Sequence, residues 1–192
     1  LICSPQFDTE ISIPSLTYLD CENSYVDKVN GSTNLRELYC NKCPIENINL
    51  PNLKILHCDY CMELERITTP ELISLSCQHI PLTSINLPKL QYLDCCGSSI
   101  VSLSGPCLTT LICINTSIAH VNHLTQLRTL RCSGSRIIYL DLPLLEFLES
   151  SRSRITDFSR LPRLKELRCD NSPVEEIHNW FPGTNNLVFG KN

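Results

Sequence analysis

The chain has 192 residues, 42% of them apolar and 19% charged, with a net charge of −4. That length gives one sizeable domain, and a charged fraction below the roughly 25% of ordinary globular chains excludes a charge-swollen disordered polymer. The mild acidity excludes nucleic acid or an acidic membrane as the dominant attraction, and no apolar run approaches the roughly 20 residues of a membrane-spanning helix.

In chain order, the first feature is a partial coil over residues 1–15. Leu1 and Cys3 stand eighteen residues before Leu19 and Cys21 in the same frame, so the chain is expected to start partway through a coil, with an earlier coil or a cap before it. The pattern Leu-x-x-Leu-x-Cys then begins at Leu16, Leu35, Leu53, Leu72, Leu90, Leu108, Leu127, Leu145 and Leu164, in steps of 18 or 19 residues. Its sixth position holds Cys21, Cys40, Cys58, Cys77, Cys95, Cys113, Cys132, Ser150 and Cys169, so Ser150 is the single break. The Leu-x-Cys alternation predicts a short strand with both named residues facing inward. Each coil continues with an apolar pair, as at Ile45 and Ile48 or Ile155 and Phe158, and often closes on Leu-Pro, as at Leu50-Pro51 and Leu87-Pro88. Prolines and β-branched residues crowd this return of about ten residues, which predicts extended or 3₁₀ segments with little or no α-helix. Complete coils run over 16–179. Trp180, Phe181 and a Leu187-Val188-Phe189 strand are expected to form a C-terminal cap over 180–192, because one coil cannot bury its own apolar face. The whole, 1–192, is then one domain of ten stacked rungs, on the order of 45 to 50 Å long at about 4.8 Å per rung.

The repeat resembles the leucine-rich-repeat family, whose motif reads Leu-x-x-Leu-x-Leu-x-x-Asn/Cys-x-Leu. Cysteine replaces the third leucine here. The Asn/Cys position holds Ser24, Cys43, Cys61, Ile80, Ser98, Thr116, Ser135, Ser153 and Ser172. The resemblance implies a right-handed solenoid with a parallel sheet on its concave face, and a protein partner held on that face. Very short coils of this kind resemble those of bacterial effectors and of proteins from large DNA viruses, which implies work inside a host cell.

Thirteen cysteines invite two other readings. Cys40, Cys43, Cys58 and Cys61 spell C-x2-C-x14-C-x2-C, a zinc-site spacing, yet the repeat frame accounts for all of them without a metal. Disulfides between neighbouring ladder positions are disfavoured because the side chains point the same way. The ladder therefore reads as buried, reduced thiols packing as small hydrophobes, which suits a cytoplasmic, reducing compartment.

Outward strand positions supply the candidate binding residues. Tyr39, Ile55 and His57 fall on adjacent rungs, and so do Tyr92, Ile112 and Ile114. Exposed aromatic and aliphatic side chains on one surface mark an interface. Phe147 lies further along, and Arg131, Glu149 and Arg168 alternate in sign, as do Arg128, Glu146 and Lys165, an order expected to pair across rungs. Residues 127–168 carry nine basic and five acidic side chains, so phosphate or nucleic-acid binding there is the weaker alternative. A second alternative is the recognition part of a larger effector whose catalytic region lies elsewhere. Within the chain no phosphate loop, G-x-S-x-G elbow or H-E-x-x-H helix occurs. His57 beside Cys58 is split between opposite faces of a strand. No catalysis, cofactor or resident metal is expected.

Overall fold

The computed structural model describes residues 1–2, 9–155, 157–169 and 187–188. Its strands, in chain order, are β1 (Glu10–Ile11), β2 (Tyr18–Asp20), β3 (Lys28–Val29), β4 (Glu37–Tyr39), β5 (Asn47–Ile48) and β6 (Ile55–His57). They continue with β7 (Arg66–Ile67), β8 (Ser74–Ser76), β9 (Ser84–Asn86), β10 (Tyr92–Asp94) and β11 (Ser102–Ser104). The last are β12 (Thr110–Ile112), β13 (Thr129–Arg131), β14 (Phe147–Glu149), β15 (Glu166–Arg168) and β16 (Leu187–Val188).

Ten of these form one parallel sheet in the order β16-β15-β14-β13-β12-β10-β8-β6-β4-β2. Register follows the repeat: Leu19 sits on Leu38, Leu38 on Leu56, and so on to Leu148 on Leu167. Ile2 bridges to Asp20, which keeps the eighteen-residue frame. At the other end Leu187 pairs with Leu167, so the expected terminal strand is present in its first two residues. Trp180, Phe181 and Phe189 lie outside the described residues.

The interior is built from columns. The first and second leucines of each motif from Leu35 and Leu19 onward are buried, and the ladder residues Cys21 to Cys132 and Ser150 are fully enclosed. Each buried leucine contributes about 2 kcal/mol of transfer free energy, so nine in register outweigh any local propensity. Ladder thiols extend the backbone pairing. Cys40 Sγ donates to the His57 carbonyl at 3.4 Å, Cys58 Sγ to Ser76 at 3.5 Å and Cys95 Sγ to Ile112 at 3.5 Å. At the Asn/Cys position Ser24, Ser98 and Thr116 turn their hydroxyls back to the carbonyl three residues earlier, at 2.6, 2.7 and 2.9 Å. Cys43 and Cys61 reach instead to the previous coil, to the carbonyls of Cys21 (2.9 Å) and Cys40 (3.0 Å).

The return side is extended, without helix among the described residues. It organises further than expected, into three two-stranded parallel ladders: β1 with β3, β5 with β7 and β9 with β11. Past β11 the return runs through turns, with Leu124 N–H donating to Val121 at 2.9 Å and Leu127 to Leu124 at 3.0 Å. The Leu-Pro closure is a reverse turn. Leu53 N–H donates to the Leu50 carbonyl at 3.2 Å, which places Pro51 at the second position, where its fixed φ is favourable. Thr69 takes the place of that leucine in its coil, 1% exposed, and its hydroxyl has no hydrogen-bond partner. Valine has the same shape without the unsatisfied group. Thr69→Val is expected to raise stability by about 1 kcal/mol, read as a melting temperature up by roughly 2–4 °C. A lower melting temperature would show that the hydroxyl has a partner.

A second turn follows each of the main-sheet strands β2, β4, β6, β8, β10, β12, β13 and β14 and has a left-handed third residue. These are Asn23, Lys42, Tyr60, His79, Gly97, Asn115, Gly134 and Arg152, with φ between 55° and 69°. The closing bond recurs, from Ser24 N–H to Cys21 (3.2 Å), Cys43 to Cys40 (3.1 Å) and Ser98 to Cys95 (3.1 Å). This is the type II arrangement, which favours glycine or asparagine at that position. Tyr60 and His79 adopt it at a cost of about 1–2 kcal/mol each. Two contacts offset that cost: their rings stack at 4.7 Å and 17°, and their N–H groups bond to Gln78 (2.8 Å) and Cys96 (3.0 Å) of the next coil. Below them, a Cβ on Gly97 would lie 2.4 Å from His79 Cε1. Gly97→Ala is expected to cost about 1–2 kcal/mol by urea unfolding, and less when His79→Gly is also present. Strictly additive losses would exclude the ring contact as a cause.

Candidate interaction face

Alternation in the strands sends one residue of each Leu-x-Cys unit outward, so the main sheet presents three stripes of side chains. The first runs Tyr18, Glu37, Ile55, Ser74, Tyr92, Thr110, Thr129, Phe147 and Glu166. The second runs Asp20, Tyr39, His57, Ser76, Asp94, Ile112, Arg131, Glu149 and Arg168. The third follows the ladder residue, from Glu22 through Asn41, Asp59, Gln78, Cys96, Ile114 and Ser133 to Ser151.

The structure brings the first candidate cluster together. Tyr39 and His57 pack ring on ring at 4.8 Å and 31°, with Ile55 half-buried on the same rung as His57. Tyr18 extends the column at 5.5 Å from Tyr39. Sequence reasoning left Tyr18 out, although it occupies the same strand position as Tyr92. Burial, the Glu37 carboxylate and the hydrogen bond to it all raise the Tyr39 phenol above its usual range. In the second cluster Tyr92 is 37% exposed and stands diagonal to Ile112, with Ile114 half-buried beyond it. Burial, then the charge of Asp94, raises Tyr92 likewise. Both phenols therefore stay protonated as hydrogen-bond donors at neutral pH.

Polar groups of the third stripe interlock along the stack. Asn41 donates to Glu22 at 2.7 Å and accepts from Asp59 N–H at 2.7 Å. Asp59 accepts from Gln78 N–H (2.7 Å) and the Ser76 hydroxyl (2.8 Å), and Gln78 donates to Asp94 at 2.8 Å.

Toward the other end, charge pairing is as the sequence order implied at three places. Arg131 meets Glu149 at 2.8 Å, and Glu146 joins Arg128 at 2.7 Å and Lys165 at 2.6 Å. Arg168 departs from that expectation. It pairs within its own strand, with Glu166 at 2.7 Å, and lays its guanidinium 5.3 Å from the Phe147 ring. A two-residue strand step of about 7 Å is easily spanned by arginine, and the aromatic face adds a cation–π term that Glu149, already held by Arg131, cannot match. An unforeseen three-residue bridge joins Lys54 and Lys89 to Glu71; hydrogen bonds from Lys54, then Lys89, hold that carboxyl down to about 2.

His57 and Cys58 do lie on opposite faces, the ring half-exposed and the thiol fully enclosed. The ladder thiols are poor nucleophiles for a physical reason. Burial pushes Cys58, Cys77, Cys95 and Cys113 well above the ordinary range, and Cys132 to about 12. The hydrogen bond with the Cys61 side chain, and then burial, does the same for Cys40. All six are unbridged. Among the described residues no three His, Cys, Asp or Glu side chains are placed to share a metal ion, and Cys40, Cys43, Cys58 and Cys61 each direct their sulfur at a backbone carbonyl. Nor is any described helix long and apolar enough to cross a membrane.

No family model and no curated protein matches the sequence. Solved structures do resemble the fold. An internalin, InlF, from Listeria monocytogenes str. 4b F2365 superposes with a TM-score of 0.63 at 20% identity, over 92% of this chain and 68% of its own. The functional domain of InlJ from Listeria monocytogenes, described as including a cysteine ladder, gives 0.50 at 22% identity, over 92% and 53%. The chain thus has the leucine-rich-repeat solenoid fold. It spans about two thirds of the first of these structures and about half of the second.

Proposed function

We propose that the chain is a protein-interaction scaffold that holds a partner across the outward face of its ten-stranded sheet and does no chemistry of its own. The observation that carries this is the aromatic column Tyr18, Tyr39 and His57, continued along the face by Tyr92 and Ile112: amphipathic, already ordered side chains on a rigid sheet. Such groups lose little entropy on binding and dominate interface energetics. The fold itself adds support, since a uniform stack offers a long surface rather than a catalytic cleft.

Pull-down with the Tyr92→Ala/Ile112→Ser protein is expected to lose a partner that the parent chain retains. An unchanged partner list would remove the sheet face from consideration. The alternative of phosphate binding through residues 127–168 is weakened in part by pairing, since Arg128, Arg131, Arg160, Lys165 and Arg168 are each engaged by a carboxylate, whereas Arg136, Arg152, Arg154 and Arg163 are in no ion pair among the described residues. Buried thiols in nearly every coil favour a compartment where they stay reduced, such as the cytoplasm, including that of a host cell. Mass spectrometry of protein alkylated at harvest without reductant should find the ladder unbridged, and several native disulfides would overturn that assignment.

A further inference from the structure

The two ends of the sheet face differ in how their charges are met. From Tyr18 to Ile114 the three outward stripes carry Asp20, Glu22, Glu37, Asp59 and Asp94, and not one lysine or arginine. Among the described residues none of these five carboxylates is in an ion pair; Glu22, Asp59 and Asp94 are held by neutral donors, the amides of Asn41 and Gln78 and the hydroxyl of Ser76. From Arg131 onward the same stripes are compensated, Glu149 by Arg131 and Glu166 by Arg168. Five like charges over five rungs, about 20 Å, repel one another unless a counter-charge arrives from outside.

The arrangement also says what form that counter-charge takes. The carboxylates are strung along the stack from the β2 rung, which carries two, to the β10 rung, with none on β8, rather than gathered round one point, and no three ligands converge on a metal position among the described residues. Between them stand the rings of Tyr18, Tyr39 and Tyr92, whose faces attract a guanidinium or ammonium group. Planar guanidinium groups both stack on such rings and pair bidentately with a carboxylate.

We propose that the Tyr18–Ile114 half of the sheet face docks an arginine- and lysine-rich segment of the partner protein, its cations alternating between the tyrosine faces and the five carboxylates. This inference rests on the sheet-face reading above and names the chemistry of the partner. The raised Tyr39 and Tyr92 phenols fit it, since both feel neighbouring carboxylates, Glu37 and Asp20 at Tyr39 and Asp94 and Asp59 at Tyr92, where the charge of Arg131 offsets only part of the rise.

Fluorescence anisotropy with a labelled peptide of alternating arginine and glycine, set against a glutamate-for-arginine counterpart, tests it. The basic peptide is expected to bind, to weaken as salt rises, and to lose about tenfold with Glu37→Gln/Asp59→Asn/Asp94→Asn, changes that keep the hydrogen-bonding oxygens. Glu46→Gln/Glu63→Gln/Glu65→Gln, the same charge change at exposed positions on the return side, is expected to stay within twofold. Circular dichroism of both triple variants checks that they fold. No binding, equal binding of the two peptides, or an equal loss in the return-side variant would overturn the proposal. If the basic peptide fails while Tyr92→Ala/Ile112→Ser still loses a protein partner, only the cationic chemistry falls. If that partner is retained, the sheet-face reading itself falls.

Discussion

Raising the pH from about 8 to about 10 is expected to unfold the protein in one steep step. In the folded chain Cys40, Cys58, Cys77, Cys95, Cys113 and Cys132 hold their protons far above the ordinary thiol range, Cys40 chiefly through its hydrogen bond with Cys61 and the others through burial. In the unfolded chain the same thiols ionise near pH 8.5, roughly the value of a free cysteine. The folded values are the raised ones, so their contribution is complete below about pH 8.5 and is lost as the pH climbs toward them. Each thiol removes about 1.4 kcal/mol per pH unit in that window, and six together about 8 kcal/mol, against a typical total of about 5–15 kcal/mol. Cys96, which burial and then the hydrogen bond with Asp94 push up to about 12, adds a seventh, so urea-derived stabilities at several pH values should fall with a slope near seven protons. Cys95→Ala/Cys113→Ala should reduce that slope by about two, whatever it does to stability at neutral pH. A chain that stays folded at pH 11, or a slope unchanged by the two alanines, would show that the ladder does not act this way.

The second large effect is local. Leu111→Ala is expected to cost about 3 kcal/mol, because Leu111 is fully enclosed between Leu93 and Leu130 and a rigid stack collapses poorly into the space left. Each coil contacts only its neighbours, so the damage should not spread evenly. Hydrogen exchange is expected to accelerate first in β10, β12 and β13, and the urea transition to broaden as the two halves uncouple. On the same strand, Thr110→Ala faces outward and should stay within about 0.5 kcal/mol. Uniform loss of protection from end to end would mean the stack melts as one unit.

Much of the fold could be read from the residues alone because one strong periodic signal dominates it. Leu-x-x-Leu-x-Cys recurs in register, and the columns from Leu19 to Leu167 and from Cys21 to Cys132 are where that pattern places them. Ser150 takes the ladder position in its own coil, fully enclosed like the cysteines. The return side was legible as extended, but its pairing was not. β1 and β3 are two residues each, too short for alternation to show. The left-handed column went unseen because its occupants share no chemistry: Lys42, Tyr60, His79 and Arg152 adopt a conformation that sequence associates with glycine and asparagine, and the inter-coil bonds that compensate Lys42, Tyr60 and His79 are visible only in three dimensions. On the candidate face, strand parity placed Tyr39, His57, Tyr92 and Ile112 outward. It could not tell that Arg168 would choose Phe147 and Glu166 over Glu149, since rungs and strand neighbours are equally within an arginine's reach.

The direction of the backbone bonds has a mechanical consequence. Bonds such as Cys21 N–H to Tyr39 and Cys40 N–H to His57 run from coil to coil, along the stack. A pull on the two ends therefore loads them in series, one rung after another, with no long strand among the described residues to share the force in shear. Each rung released adds 18 or 19 residues of slack, about 60 Å of contour for a step of about 4.8 Å. Under such a load the stack is expected to lengthen in increments of one coil.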